Sequence, residues 1–84
     1  MKILYILRKQ PDGLAKEMIE KQSHEHEITV VLIQEAVLMK ENLSGHVLAL
    51  DDDVRKRSVS QNIPKIGYEE LLSLIFKNDR TLCW

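Results

Sequence analysis

One cysteine, Cys83, is the only thiol in the chain. It excludes an intramolecular disulfide framework and fits a reducing compartment. Charge of one sign is also lacking: 12 Lys and Arg stand against 13 Asp and Glu, a formal net charge of −1. A nucleic-acid binder usually carries a strongly basic face. The one dense basic run here, Arg55-Lys56-Arg57, directly follows Asp51-Asp52-Asp53, so its field is cancelled locally. No direct nucleic-acid contact is expected, because phosphate affinity scales with unopposed Lys and Arg. Long apolar runs are missing too. Ile3–Leu7 and Ile28–Ile33 fall far short of the roughly 18 residues that a membrane span needs. Met1-Lys2 leads into a short apolar stretch that Arg8-Lys9 ends, which is too brief for a signal-peptide core. The expectation is a cytoplasmic protein without membrane contact. There is no glycine-rich phosphate loop, Ser/His/Asp arrangement or zincin motif. The sequence shows no self-sufficient active site and implies no cofactor.

What is present fits one small domain spanning residues 1–84. A chain of this size buries only roughly 60–65% of the surface its unfolded form exposes. Its core is thin, and a stability of about 5 kcal/mol is normal for it. Docking onto a partner would supply burial that the chain cannot supply alone. The apolar fraction, 44%, is ordinary for a globular domain.

Lys2–Leu7 reads as a strand buried on both faces. Leu14, Ala15, Met18 and Ile19 then recur at helical spacing, predicting a helix over Asp12–Gln22 with Asp12 as N-cap. Ser23–Glu27 is polar and reads as a loop. Ile28–Ile33 is β-branched and uninterrupted, the strongest strand signal in the chain. Ala36, Val37 and Met39 suggest a short helix ended by Asn42-Leu43-Ser44-Gly45. His46–Leu50 reads as a third strand. A turn leads from Asp51 into a short helix, which Gln61-Asn62 closes. Ile63–Ile66 holds Pro64, which cannot donate a ladder hydrogen bond, so this strand is short and peripheral. Tyr68, Leu71, Leu72, Ile75 and Phe76 form an i, i+3, i+4, i+7, i+8 stripe, with Glu69 and Glu70 favourably placed in the first turn. Asn78-Asp79 end that helix, and Thr81–Trp84 reads as a last strand. Strands and helices alternate. That order predicts a three-layer α/β fold: a mostly parallel sheet of four or five strands, covered on both faces through right-handed crossovers.

Sites in open α/β sheets gather beyond the carboxyl ends of strands. Three segments fall there: Arg8–Gly13, Gln34-Glu35-Ala36 and Asp51-Asp52-Asp53. Three adjacent aspartates suit Mg²⁺ in principle. The simpler reading has Asp51 or Asp52 capping a helix that begins near Asp53, while the others offset Arg55 and Arg57. His24-Glu25-His26-Glu27 resembles a metal cluster, but no third His or Cys lies nearby in sequence, and a solvated loop is the expected reading. His46, alone at a strand start, is expected to be structural. Cys83 admits two roles. A terminal thiol near Arg80 could carry persulfide; within Leu82-Cys83-Trp84 it also reads as a small apolar strand residue, and packing is the favoured of the two.

Several segments together resemble one family. Val31-Leu32-Ile33-Gln34-Glu35-Ala36-Val37 resembles the strand-to-helix signature of the TusB/DsrH family, usually Leu-Leu-Ile-Gln-Asp-Gly-Val. Val47-Leu48-Ala49-Leu50-Asp51-Asp52-Asp53-Val54 resembles that family's next strand, which ends in acids and a short helix reading Asp-Val-x-Ala-Arg-Gly. The Tyr68–Phe76 stripe and the Leu82-Cys83-Trp84 ending are similar to its last helix and its Leu-Ser-Trp terminus. The likeness runs from about residue 28 to the end of the chain.

The resemblance implies a subunit that assembles with two homologous partners, of TusC/DsrF and TusD/DsrE type. Such complexes pass persulfide sulfur toward tRNA wobble-uridine 2-thiolation or in dissimilatory sulfur oxidation, and the acceptor cysteine sits on the TusD/DsrE-type subunit. The implied role here is therefore a supporting one. Gln34, Glu35, Asp51, Asp52, Asp53 and Arg57 are the partner-interface candidates, with no metal site. A stand-alone persulfide carrier using Cys83, or a self-associating module without sulfur chemistry, are the alternatives. Three departures stand out: Glu35-Ala36 for Asp-Gly, Arg57-Ser58 for Arg-Gly, and Cys83 for Ser. If either family glycine takes a positive φ, the residue replacing it here is strained.

Overall fold

The computed structural model describes residues 1–39, 43–58 and 62–84. The chain runs from β1 (Lys2–Leu7) to α1 (Gly13–Ser23), β2 (Glu27–Leu32) and a 3-10 turn (Gln34–Leu38). It continues through β3 (His46–Leu50), α2 (Asp51–Lys56), β4 (Lys65–Ile66), α3 (Tyr68–Lys77) and β5 (Arg80–Cys83). The expected helix ends at Asn42 and Gln61 lie outside the described residues.

The five strands form one sheet in the order β4-β3-β2-β1-β5, and every pairing is parallel. From β1 the chain steps outward to β2, β3 and β4, then returns past β1 to the opposite edge. Right-handed crossovers place connections on one face while the chain moves one way and on the other face once it reverses. The packing follows that rule. Ile19 of α1, Ala36 and Val37 of the 3-10 turn, and Val54 of α2 pack with Tyr5, Leu7, Val30 and Leu32 on one face. Leu71 and Leu74 of α3 pack on the other, over Leu4, Ile6, Val31, Leu48 and Ile66. The expected three-layer α/β architecture is thus present, with the sheet wholly parallel.

Local chemistry explains the element boundaries. Asp12 caps α1 by accepting a 2.9 Å hydrogen bond from the Ala15 N–H. Pro64 directly precedes β4, which shrinks to two residues at the sheet edge. Gly45 introduces β3 at φ +99, and a Cβ there would lie 2.8 Å from the Ile28 carbonyl oxygen. Only glycine meets both conditions.

One expectation fails. The aspartates do not precede α2 as caps. The helix begins at Asp51, and its N-cap position is Leu50, which has no side-chain cap bond. The strand end feeds straight into the helix, so the three carboxylates fill its first turn, where they favour the positive end of the dipole. The α3 stripe is largely uncovered in the protomer. Tyr68, Leu72 and Phe76 are 61%, 55% and 80% exposed, and no residue of α3 is fully buried. Only its Leu71 and Leu74 side meets the sheet.

Candidate functional site at the strand carboxyl ends

β1 is the strand at which the direction of crossover reverses, because its neighbours β2 and β5 are reached from opposite sides. Ligand sites in parallel sheets form in the crevice outside such a strand. A depression of about 340 Å³ lies there, lined by Arg8, Lys9, Gln34, Glu35, Arg57 and Trp84. Each lining residue comes from the end of an element: Arg8 and Lys9 follow β1, Gln34 and Glu35 open the turn after β2, Arg57 ends α2, and Trp84 follows β5. The Trp84 backbone is pinned beside β1. Its N–H donates to the Ile6 carbonyl at 2.8 Å, and its carbonyl accepts from the Arg8 N–H at 3.0 Å.

Asp53 holds this floor together. Asp53 is 7% exposed, the one charged residue among the buried described residues. One carboxylate oxygen accepts the Gln34 backbone N–H at 2.9 Å, and the other accepts from Arg57 Nη1 at 3.4 Å. Gln34 has φ 50, in the left-handed region. That conformation costs an L-residue about 1–2 kcal/mol, so the Asp53 hydrogen bond offsets local strain at the rim of the depression. The question raised by Glu35-Ala36 is answered two positions before the family glycine: the positive φ falls on Gln34, and Ala36 packs in the core without it. Ser58, standing where the family motif carries glycine, does adopt φ 50.

Of the six interface candidates, Gln34, Glu35 and Arg57 therefore converge, and Asp53 supports two of them from below. Asp51 and Asp52 do not line the depression. Asp51 binds Arg55 through Nε at 2.8 Å and also through Nη2, while Asp52 pairs with Lys56 at 3.1 Å. These contacts raise the pKa of Arg55, chiefly through the Asp51 hydrogen bond, and of Lys56, chiefly through the Asp52 hydrogen bond. Both cations are exposed, so the pairs add little stability. Sequence reasoning marks Arg8–Gly13 as a strand-end segment but singles out neither Arg8 nor Lys9, and it gives Trp84 no site role. Basic residues immediately after a parallel strand are the signal that would have found the first two.

No family model matches the sequence, and no curated protein matches it. Among solved structures, the crystal structure of the ychN protein from E. coli superposes with a TM-score of 0.74. The two are 15% identical, and the match covers 100% of this chain and 99% of that one. The chain has a DsrE-like fold.

Within this DsrE-like frame, Cys83 does not pack as an apolar core residue. It is a free, exposed thiol. It stands in register with Ile6, which shares its face of the sheet with α3. Alternation along β5 puts Arg80 on the opposite face with Leu82, as the influence of Arg80 on Tyr5 also indicates. Arg80 and Cys83 therefore lie on opposite faces of the sheet. Among the described residues no group of three His, Cys, Asp or Glu side chains converges as a metal site. His24 forms the C-cap of α1, the Nδ1 of His26 is buried without a hydrogen-bond partner, and His46 is exposed at the start of β3. No helix among the described residues is long and apolar enough to cross a membrane.

Proposed function

We propose that this chain is a non-catalytic subunit of a sulfur-relay complex, one that passes persulfide sulfur toward tRNA wobble-uridine 2-thiolation or in dissimilatory sulfur oxidation. The reading rests on a DsrE-like fold that extends over the whole chain, read together with the motif resemblance. The exposed side of α3 supports the subunit role. Tyr68, Leu72, Ile75 and Phe76 present an apolar face that nothing in the described protomer covers. Full burial of such side chains stabilises by about 1.5–3 kcal/mol each, so assembly with a homologous small α/β subunit is the favourable way to cover them. TusC/DsrF-like and TusD/DsrE-like chains are the partners this reading names. The depression at the strand ends contains no thiol among its lining residues, which suits a chain that supports the transfer and does not carry the acceptor. Reconstitution tests the proposal directly. Persulfide transfer in the assembled complex should fall when this chain is left out, and transfer at full rate without it would end the reading.

The exposed Cys83 thiol supports a second reading, a persulfide carrier in its own right. Intact mass after incubation with a persulfide donor should then show the addition of one sulfur atom, abolished by Cys83→Ser. Absence of the adduct removes this alternative.

A further inference from the structure

The two edges of the sheet differ. At β4 the edge strand is two residues long and follows Pro64, a form that discourages further pairing. At β5 no proline intervenes, and Arg80 is the only charged side chain from position 80 to 84. The Trp84 N–H and carbonyl both bind β1, so the backbone groups of Arg80, Leu82 and Trp84 face inward along this strand. Those of Thr81 and Cys83 face outward, beyond the last strand of the sheet. Both residues are exposed, and among the described residues nothing binds their outward N–H and carbonyl groups. The side chains alternate as well. Leu82 and Trp84 pack against the Tyr5 side of the core with Arg80 on the same face, while Thr81 and Cys83 take the α3 face.

We propose that β5 pairs antiparallel with β5 of a second copy of this chain, about a two-fold axis through Leu82, and joins two five-stranded sheets into one. The inference goes beyond the sulfur-relay reading and does not rest on it. The occupant follows from the edges. Pro64 and the shortness of β4 close that edge to a second copy, so β5 is matched by β5 itself, and such a two-fold contact closes on itself. In this register Thr81 stands opposite the partner's Cys83, and the outward N–H and carbonyl groups of both copies exchange hydrogen bonds. Leu82 meets its own counterpart and carries the apolar layer across the seam. Arg80 stands opposite the partner's Trp84, a cation facing an electron-rich ring at each end of the seam. No like charges meet. The axis is perpendicular to the sheet, so both α3 helices stay on one face and their apolar sides remain free for other subunits.

Sedimentation equilibrium of the full chain should give twice the protomer mass of 9.8 kDa. Amide hydrogen exchange followed by NMR then reads the register. The Thr81 and Cys83 amides should be protected in the dimer and lose that protection on dilution, whereas the Leu82 amide, bound to β1, stays protected throughout. Thr81→Pro removes an outward N–H and spares the β1 ladder, so it should weaken dimerisation at least about tenfold. Thr81→Lys/Cys83→Lys changes two exposed side chains and sets like charges across the seam; it should weaken the dimer similarly, and it serves where the proline variant does not fold. A dimer whose Thr81 and Cys83 amides exchange freely, or one equally tight in a folded variant, would overturn the assignment and move the contact to another surface. A monomer at NMR concentration would overturn it too, leaving the β5 edge to water or to a strand of a different protein.

Discussion

Asp53 is the residue on which the candidate site depends most. Removing its carboxylate leaves the Gln34 N–H without its acceptor and frees Arg57. Asp53→Ala should therefore destabilise the fold by about 1–3 kcal/mol, measured by urea denaturation. Asp53→Asn keeps an oxygen able to accept from Gln34 and should cost clearly less. Equal losses in the two variants would show that the hydrogen bond to Gln34 is not what matters. Gly45→Ala meets two separate penalties, a positive φ and a contact with the Ile28 carbonyl oxygen. About 1–3 kcal/mol of lost stability is expected, and a shift of the urea midpoint reads it. Tyr5 offers a test by pH. Its hydroxyl hydrogen-bonds Gln22, and burial, partly opposed by the charge of Arg80, raises its pKa above the ordinary 10.0. The unfolded chain ionises first, so the stability contributed by neutral Tyr5 is complete below pH 10.0 and is lost as pH rises through the higher folded value. Wild-type stability should fall across that range more steeply than that of Tyr5→Phe.

At the scale of elements, α3 is the unusual one. It has the clearest amphipathic spacing in the chain, yet it turns only the Leu71 and Leu74 side to the sheet. A helix presenting a second apolar face is suited to lie between two bodies. Phe76→Asp and Leu72→Asp should leave the isolated chain's stability within about 0.5 kcal/mol, because both side chains are already exposed in the protomer. Association with partner subunits should weaken strongly in the same variants when followed by light scattering. A variant that unfolds the isolated chain would place these residues in its core instead. By contrast α2 is held by the Val54 contact with the core, by the Asp53–Arg57 pair on its inner side, and by two exposed i,i+4 pairs, Asp51–Arg55 and Asp52–Lys56.

For the whole molecule, the order β4-β3-β2-β1-β5 determines where function can gather. It makes β1 the point of reversal, so the residues after its end meet those from β2, α2 and β5 around one depression. It also leaves one long helix to cover an entire face of the sheet, while three connections share the other. That asymmetry gives the protomer one side covered by three connections and one side covered by a single helix.

Much of this was legible in residue order alone. The β-branched runs 3–7 and 28–33, the helical spacing after Asp12 and the alternation of elements specify a parallel α/β sheet, because backbone periodicity is a local property. The strand-end location of Gln34 and Glu35 followed from the same pattern. Other features depend on contacts between segments remote in sequence. An i, i+4 pattern shows that α3 has an apolar side, but only the packed sheet decides which part of it is covered. Asp53 looks like any capping aspartate until β2 and α2 bring its carboxylate beneath Gln34, nineteen positions away. Trp84 became a neighbour of Arg8 and Lys9 only because β5 returned to the edge of β1, a choice made by tertiary topology and written in no local stretch of the chain.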